Sequence, residues 1–152
     1  MMTLPPLEAA PTDTVLFVDD EAHILAALKR LLRNEPYQII TATSAKEGLE
    51  ILTHTPAQLI VSDQRMPEMA GNAFLQQVKL LYPDTIRVIL SGYADVNVIL
   101  EALNKGEVYR FFTKPWQEED LKASLRKCLV HYHSQHKGQQ NASHTQHARR
   151  AS

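Results

Sequence analysis

The chain has one cysteine, Cys128, in 152 residues, so no intramolecular disulfide can form and a disulfide-stapled secreted scaffold is excluded. A reducing cytoplasm is the expected compartment. Charge of one sign is lacking too: 16 Lys and Arg face 17 Asp and Glu, a formal net charge of -1. That balance supplies no field that would hold nucleic acid or an anionic membrane directly. No run approaches the ~18 consecutive apolar residues of a membrane span, and the N-terminus lacks the basic then apolar order of a secretory signal. No internal repeat is evident. Past Leu129 there is no helix-turn-helix pattern, basic reading helix or second catalytic motif.

What the chain does have is 44% hydrophobic residues, enough for the core of one ordinary domain, arranged in strict alternation of two periodicities. Residues 1–13, with Pro5, Pro6 and Pro11, read as a flexible leader, because proline removes backbone donors. From Thr14 onward, short apolar runs alternate with segments of helical spacing. Ile24, Leu25, Leu28, Leu31 and Leu32 form one helical stripe, and Phe74, Leu75, Val78 and Leu81 another. Val96, Ile99, Leu100 and Leu103 form a third, and Leu121, Leu125, Cys128 and Leu129 a fourth. Following a strand at 37–42, Ser44 and Glu47 have capping-box spacing and open a helix toward Leu49 and Leu52. Strand and helix alternating in this way predict an α/β fold with a doubly wound five-stranded parallel sheet and helices on both faces. The domain is expected to span 14–132. The segment 133–152, rich in Gln, His, Ser and Asn, reads as a polar mobile tail or linker, and its histidines as solvated groups rather than metal ligands.

Four apolar runs end in reactive side chains. Val15-Leu16-Phe17-Val18 leads into Asp19-Asp20, Leu59-Ile60-Val61-Ser62 into Asp63, Ile86 to Leu90 into Ser91, and Phe111-Phe112-Thr113 into Lys114-Pro115. Ligands of open α/β sheets bind outside the carboxyl ends of the strands, so these residues are expected to converge. Three carboxylates together call for a cation, and hard oxygen ligands suit Mg²⁺. A divalent ion, an ammonium and a hydroxyl around one carboxylate suit phosphoryl transfer, with Asp63 as nucleophile.

These motifs, V-D-D-E at 18–21, S-D-Q-R-M-P at 62–67, S-G-Y-A at 91–94 and F-F-T-K-P-W at 111–116, resemble the receiver domain of two-component response regulators over about 14–132. The resemblance implies a flavodoxin-like (βα)5 fold and phosphorylation of Asp63 by a partner histidine kinase or phosphotransfer protein. It implies that Mg²⁺ is held by Asp20, Asp63 and the main-chain carbonyl of Arg65, with Asp19 acting through water, and that Lys114 and Ser91 bind the phosphoryl oxygens. A cis peptide before Pro115, and a switch in which Ser91 and Phe111 move together, are implied as well. So is a remodelled surface of the fourth helix, fifth strand and fifth helix, where Tyr109 and Arg110 lie and where a homodimer could form. Arg65 and Tyr93 flank the expected pocket.

Two departures from the family pattern have physical consequences. Phe111 stands where relatives usually carry Tyr, removing a hydroxyl, and Ala70 stands where Asp is common, which predicts altered capping of the third helix with intact chemistry. Two other functions remain open. An aspartyl-phosphate phosphohydrolase would want a general acid two residues past the nucleophile, where Arg65 stands instead. A phosphorylation-independent interaction module would carry the pocket as a vestige. The S-G-Y-A-D and V-Y-R-F-F-T-K-P-W segments resemble receivers attached to phosphodiesterase-type or transcription-activating outputs, so the chain reads as a stand-alone receiver or a segment of a longer regulator.

Overall fold

A computed structural model describes residues 12–92 and 95–151, with side chains of the last helix described to residue 135. The expected leader lies almost wholly outside the described residues, as do Tyr93 and Ala94. Five strands, β1 (Thr14–Val18), β2 (Gln38–Ala42), β3 (Leu59–Ser62), β4 (Ile86–Ser91) and β5 (Arg110–Thr113), form one sheet in the order β2-β1-β3-β4-β5. Every pairing is parallel. Each strand is followed by a helix: α1 (Ala22–Leu32), α2 (Ala45–Leu52), α3 (Gly71–Leu81), α4 (Val96–Asn104) and α5 (Glu118–Ala151). The doubly wound sheet read from the sequence is the fold.

The period-2 geometry of a strand explains why two cores form. In β1, Val15 and Phe17 face one side and Leu16 and Val18 the other, and all four are buried. The first side packs against Leu25, Leu28 and Leu32 of α1 and Leu121, Leu125 and Cys128 of α5. The second packs against Ala45 and Leu52 of α2, Phe74, Leu75 and Val78 of α3, and Ile99 and Ala102 of α4. A central strand covered on both faces has no polar side to present, hence its unbroken apolar run. Burying one such Leu or Phe contributes about 1.5–3 kcal/mol. Cys128 is a small apolar core residue, and burial pushes its thiol up to about 11.

Several local expectations need correction. Leu81 and Leu100, assigned to apolar stripes, are 62% and 51% exposed. Leu81 is the last residue of α3, and Leu100 is one residue on from buried Ile99, about 100° round the helix. β2 starts at Gln38 rather than Tyr37. Ser44 caps α2 as read, accepting from the Glu47 amide at 3.1 Å, but Glu47 reaches back one residue further than a capping box requires, to the Thr43 amide at 2.6 Å. The helix α5 runs to Ala151, and among its side chains described, those up to residue 135, the last buried one is Leu129. His133 lies 2.9 Å from the Asp13 carboxylate, so the two expected domain boundaries meet. Among the described residues no helix is long and apolar enough to cross a membrane.

A second tie holds α5 to the turn before β2. The Arg126 guanidinium donates to both oxygens of Glu35, at 2.7 and 2.6 Å, and this fork holds the Glu35 carboxyl below its ordinary value of 4.5 against the opposing effect of burial. A carboxyl lowered on folding stabilises the protein fully above its unfolded value, and that stabilisation is lost as pH falls through the folded value. In urea titrations at a series of pH values, the midpoint of wild type is expected to exceed that of Glu35→Gln at neutral pH, and the two are expected to converge below 4.5. A difference that is constant with pH would contradict the pairing.

Candidate functional site

The reactive residues meet because the sheet ladder runs one residue past the strands. The Asp63 amide donates to the Val18 carbonyl at 2.8 Å, Asp19 to Ala42 at 3.1 Å, and Lys114 to Ser91 at 2.9 Å. These bonds fix the backbone carrying each side chain before any side chain interacts. Asp19, Asp63 and Ser91 are buried and Asp20 is exposed, so the pocket has a dry floor and one wet carboxylate at its rim.

Carboxylate oxygens of Asp19, Asp20 and Asp63 all lie within 4.8 Å of one another. Lys114 Nζ donates to Asp19 Oδ2 at 2.7 Å and lies 3.4 Å from Asp63 Oδ1. Asp63 Oδ1 also accepts from the Gln64 amide at 2.9 Å, and Asp19 Oδ1 from the Glu21 amide at 2.9 Å. Burial raises the Asp63 carboxyl above its ordinary value and the Asp19 charge adds to this, with Lys114 and the Gln64 amide opposing. For Lys114, burial is the largest single influence and lowers its affinity for the proton, but Asp19 and Asp63 together outweigh it and the net shift is upward.

One ammonium shared among three carboxylates leaves two negative charges in excess. A compact divalent cation fits that deficit, and an all-oxygen donor set of which Asp20 is exposed leaves room for the waters such an ion retains. Asp63 and Asp20 are the carboxylates open to it, since Asp19 is already engaged on both oxygens.

Ser91 closes β4, on the strand between those leading to Asp63 and Lys114. Phe111 on β5 is half-buried against the second core. The Lys114-Pro115 peptide is cis. Arg65 is 69% exposed, with its guanidinium on Asp95 at 2.9 Å.

Two residues that hold the site together were not read from the sequence. The buried Gln64 side chain accepts from the Asn72 amide at 2.9 Å and donates to the Asn72 side chain at 2.6 Å, taking over the cap that Ala70 cannot provide at the start of α3. The altered capping follows from Ala70 as expected, with a substitute supplied from eight residues before Asn72. Gly71 approaches so closely that a Cβ there would lie 2.2 Å from the Asp63 carbonyl oxygen, and its amide donates to the Gln64 carbonyl at 2.9 Å. The glycine following M-P-E-M-A was visible in the sequence; its reason was not.

Comparison with known proteins identifies the family. Residues 15–126 match the family model of the response regulator receiver domain, and the chain belongs to that family. It is similar to the hydrogenase transcriptional regulatory protein HoxA of Bradyrhizobium diazoefficiens, 36% identical over 122 residues that make up 80% of this chain and 25% of that protein. It is also similar to the transcriptional regulatory protein ZraR of Escherichia coli, 35% identical over 79% of this chain and 27% of that one. The chain thus spans about a quarter of the length of these relatives. Among solved structures, an uncharacterized protein from Neptuniibacter caesariensis is 46% identical with a TM-score of 0.78, covering 82% of this chain and 93% of that one. The signal receiver domain of an HD domain-containing protein from Pseudomonas fluorescens is 34% identical with a TM-score of 0.80, covering 85% and 95%.

Crowded carboxylates repel when no cation is present. In EDTA, Asp20→Asn is expected to raise Tm by about 2–4 °C, corresponding to relief of about 1 kcal/mol. Millimolar Mg²⁺ is expected to raise the Tm of wild type and leave the variant nearly unmoved. Equal Mg²⁺ shifts in both proteins, followed by differential scanning calorimetry, would rule out Asp20 as part of the cation site.

Proposed function

We propose that this receiver is a phosphoacceptor switch: it takes a phosphoryl group from a histidine kinase or phosphotransfer protein onto Asp63 in a Mg²⁺-dependent reaction and alters its surface to control an output. The observation carrying this reading is Lys114, whose ammonium lies beside both Asp63 and Asp19 at the end of the sheet. An ammonium there offers a positive charge to an incoming phosphoryl oxygen without leaving the carboxylates.

The chemistry balances as an in-line displacement. A lone pair of an Asp63 Oδ forms the new O–P bond while the bond from phosphorus to the donor atom breaks. That electron pair goes to the leaving group, a ring nitrogen if the donor is a phosphohistidine. No proton has to be taken from ionised Asp63, so the site needs positioning and charge neutralisation rather than a base. When bound, Mg²⁺ supplies the concentrated positive charge that three phosphoryl oxygens call for. Asp20, Asp63 and the main-chain carbonyl of Arg65 would hold it, with Asp19 acting through water. Lys114 and Ser91 receive the phosphoryl oxygens.

Hydrolysis of the acyl phosphate returns Asp63 to its starting state, so the chain promotes only its own phosphorylation and dephosphorylation. Ser91 and Phe111 act as the switch. Ser91 is drawn toward the phosphoryl group, and the ring of Phe111, which has no hydroxyl to anchor either rotamer, follows on the strand beside it. The surface affected is that of α4, β5 and α5, the face for an output or for a homodimer. There Tyr109 stacks on His131 with ring centroids 4.3 Å apart. The relatives named as transcriptional regulators make a transcription-activating output the leading candidate, in a bacterial cytoplasm.

Intact-protein mass spectrometry after incubation with Mg²⁺ and acetyl phosphate tests the reading. One acid-labile phosphate on wild type and none on Asp63→Asn is the expected result. No phosphate on either protein would favour a phosphorylation-independent interaction module, and equal labelling of both would move the acceptor elsewhere.

A further inference from the structure

The phosphoacceptor reading makes no use of the ion pair between Arg65 and Asp95. Asp95 holds the N-cap position of α4 with φ -111° and ψ 25°, outside the extended region of a bonded N-cap, and its side chain makes no cap bond. Its carboxylate instead accepts from Arg65 Nε at 2.9 Å, thirty residues away in the chain. The Asp95 side chain is 18% exposed and that of Arg65 69%. Arg65 lies two residues beyond Asp63, and its guanidinium is held above its ordinary value chiefly by Asp95, with a further contribution from Asp63. One carboxylate therefore has two uses, and only one is realised.

The two ends of α4 are held differently. At its C-terminal end, the Lys105 carbonyl accepts from Lys79 Nζ at 3.0 Å, and the Gly106 and Glu107 carbonyls accept from the Arg87 guanidinium at 3.1 and 2.9 Å. Those donors belong to α3 and β4, so that end is fastened to the body of the domain. At the N-terminal end, the Arg65–Asp95 pair ties the helix to the loop that carries the phosphoacceptor. An exposed ion pair and a helix N-cap bond are small contributions of similar size, so a modest change in what Arg65 prefers decides between them. A phosphoryl group carries more charge than one carboxylate and matches the guanidinium fork.

Resting on the phosphoacceptor reading, we propose that Arg65 is a further phosphoryl-binding cation held in reserve by Asp95, and that a phosphoryl group on Asp63 draws it off, freeing Asp95 to extend its backbone and cap α4. The unphosphorylated domain then has Arg65 on Asp95 and an uncapped α4. The phosphorylated domain has Arg65 on the phosphoryl oxygens and a capped first turn. Asp95 is a positioning residue in this scheme: it acts on the phosphoryl group only through Arg65.

The test compares wild type, Arg65→Ala, Asp95→Asn and the double variant as full chains in Mg²⁺. The readouts are the rate of acid-labile labelling by acetyl phosphate and amide hydrogen exchange over 96–99. Asparagine is as good an N-cap as aspartate but cannot hold Arg65 by charge. Asp95→Asn is therefore expected to label about two- to five-fold faster than wild type, the size of an exposed ion pair. Arg65→Ala is expected to label more slowly, and the double variant to behave as Arg65→Ala alone. Exchange over 96–99 is expected to slow on phosphorylation of wild type and to be slow already in unphosphorylated Asp95→Asn. Labelling of Asp95→Asn at the wild-type rate, or the same acceleration in the Arg65→Ala background, overturns the proposal. Equal labelling of all four proteins at Asp63 overturns the latch and leaves the phosphoacceptor standing, whereas no label on any of them overturns both.

Discussion

The contact between Lys114 and the two aspartates across the sheet is the interaction on which the rest depends. Asp19 and Asp63 are buried side by side, an arrangement that costs several kcal/mol per ion when uncompensated. Lys114, 95 residues past Asp19, compensates them. A charge set of this kind is seldom a net gain over an apolar core. Buried charge sets of this kind are found where stability is given up for reactivity, and this one lies at the end of the sheet.

The scaffold exists to hold those three groups in register. Two separate cores, one per sheet face, leave β1, β3 and β4 with no freedom to shift, because a one-residue slip would turn every buried side chain to the wrong face. The ladder then carries that register one residue further, into Asp19, Asp63 and Lys114. Around Asp63 the control is finer. Gly71 lets the start of α3 lie against the Asp63 carbonyl, and Gln64 caps α3 from below, so the loop containing Arg65 is fastened at both ends.

Much of this was legible in the sequence, for a definite reason. A strand buried on both faces must be apolar throughout, and the first residue past it must return to polar chemistry, so the runs ending at Asp19, Asp63, Ser91 and Lys114 announce both the sheet and its site. Cys128 as core and Ser44 as cap follow from equally local rules. What escaped depends on contacts between distant segments. Leu100 has the spacing of a buried stripe, yet of α4 only Ile99 and Ala102 are buried. Gln64 with Asn72, and Arg65 with Asp95, are polar pairs with no periodicity to betray them. Glu47 satisfies the capping-box spacing yet bonds to Thr43, because the rule fixes the residue and not the amide it finds.

The central claim is that the ends of β1, β3, β4 and β5 form one anion-accepting site with Asp63 at its centre. The most direct test is amide NMR of the domain in Mg²⁺ on addition of beryllofluoride, which builds a tetrahedral phosphoryl-like group on a carboxylate. The account predicts that the resonances of Asp63, Ser91 and Lys114 shift together, followed by those of α4 and β5, and that Asp63→Asn shows no shift. No change in wild type, or changes scattered away from that edge of the sheet, would contradict it.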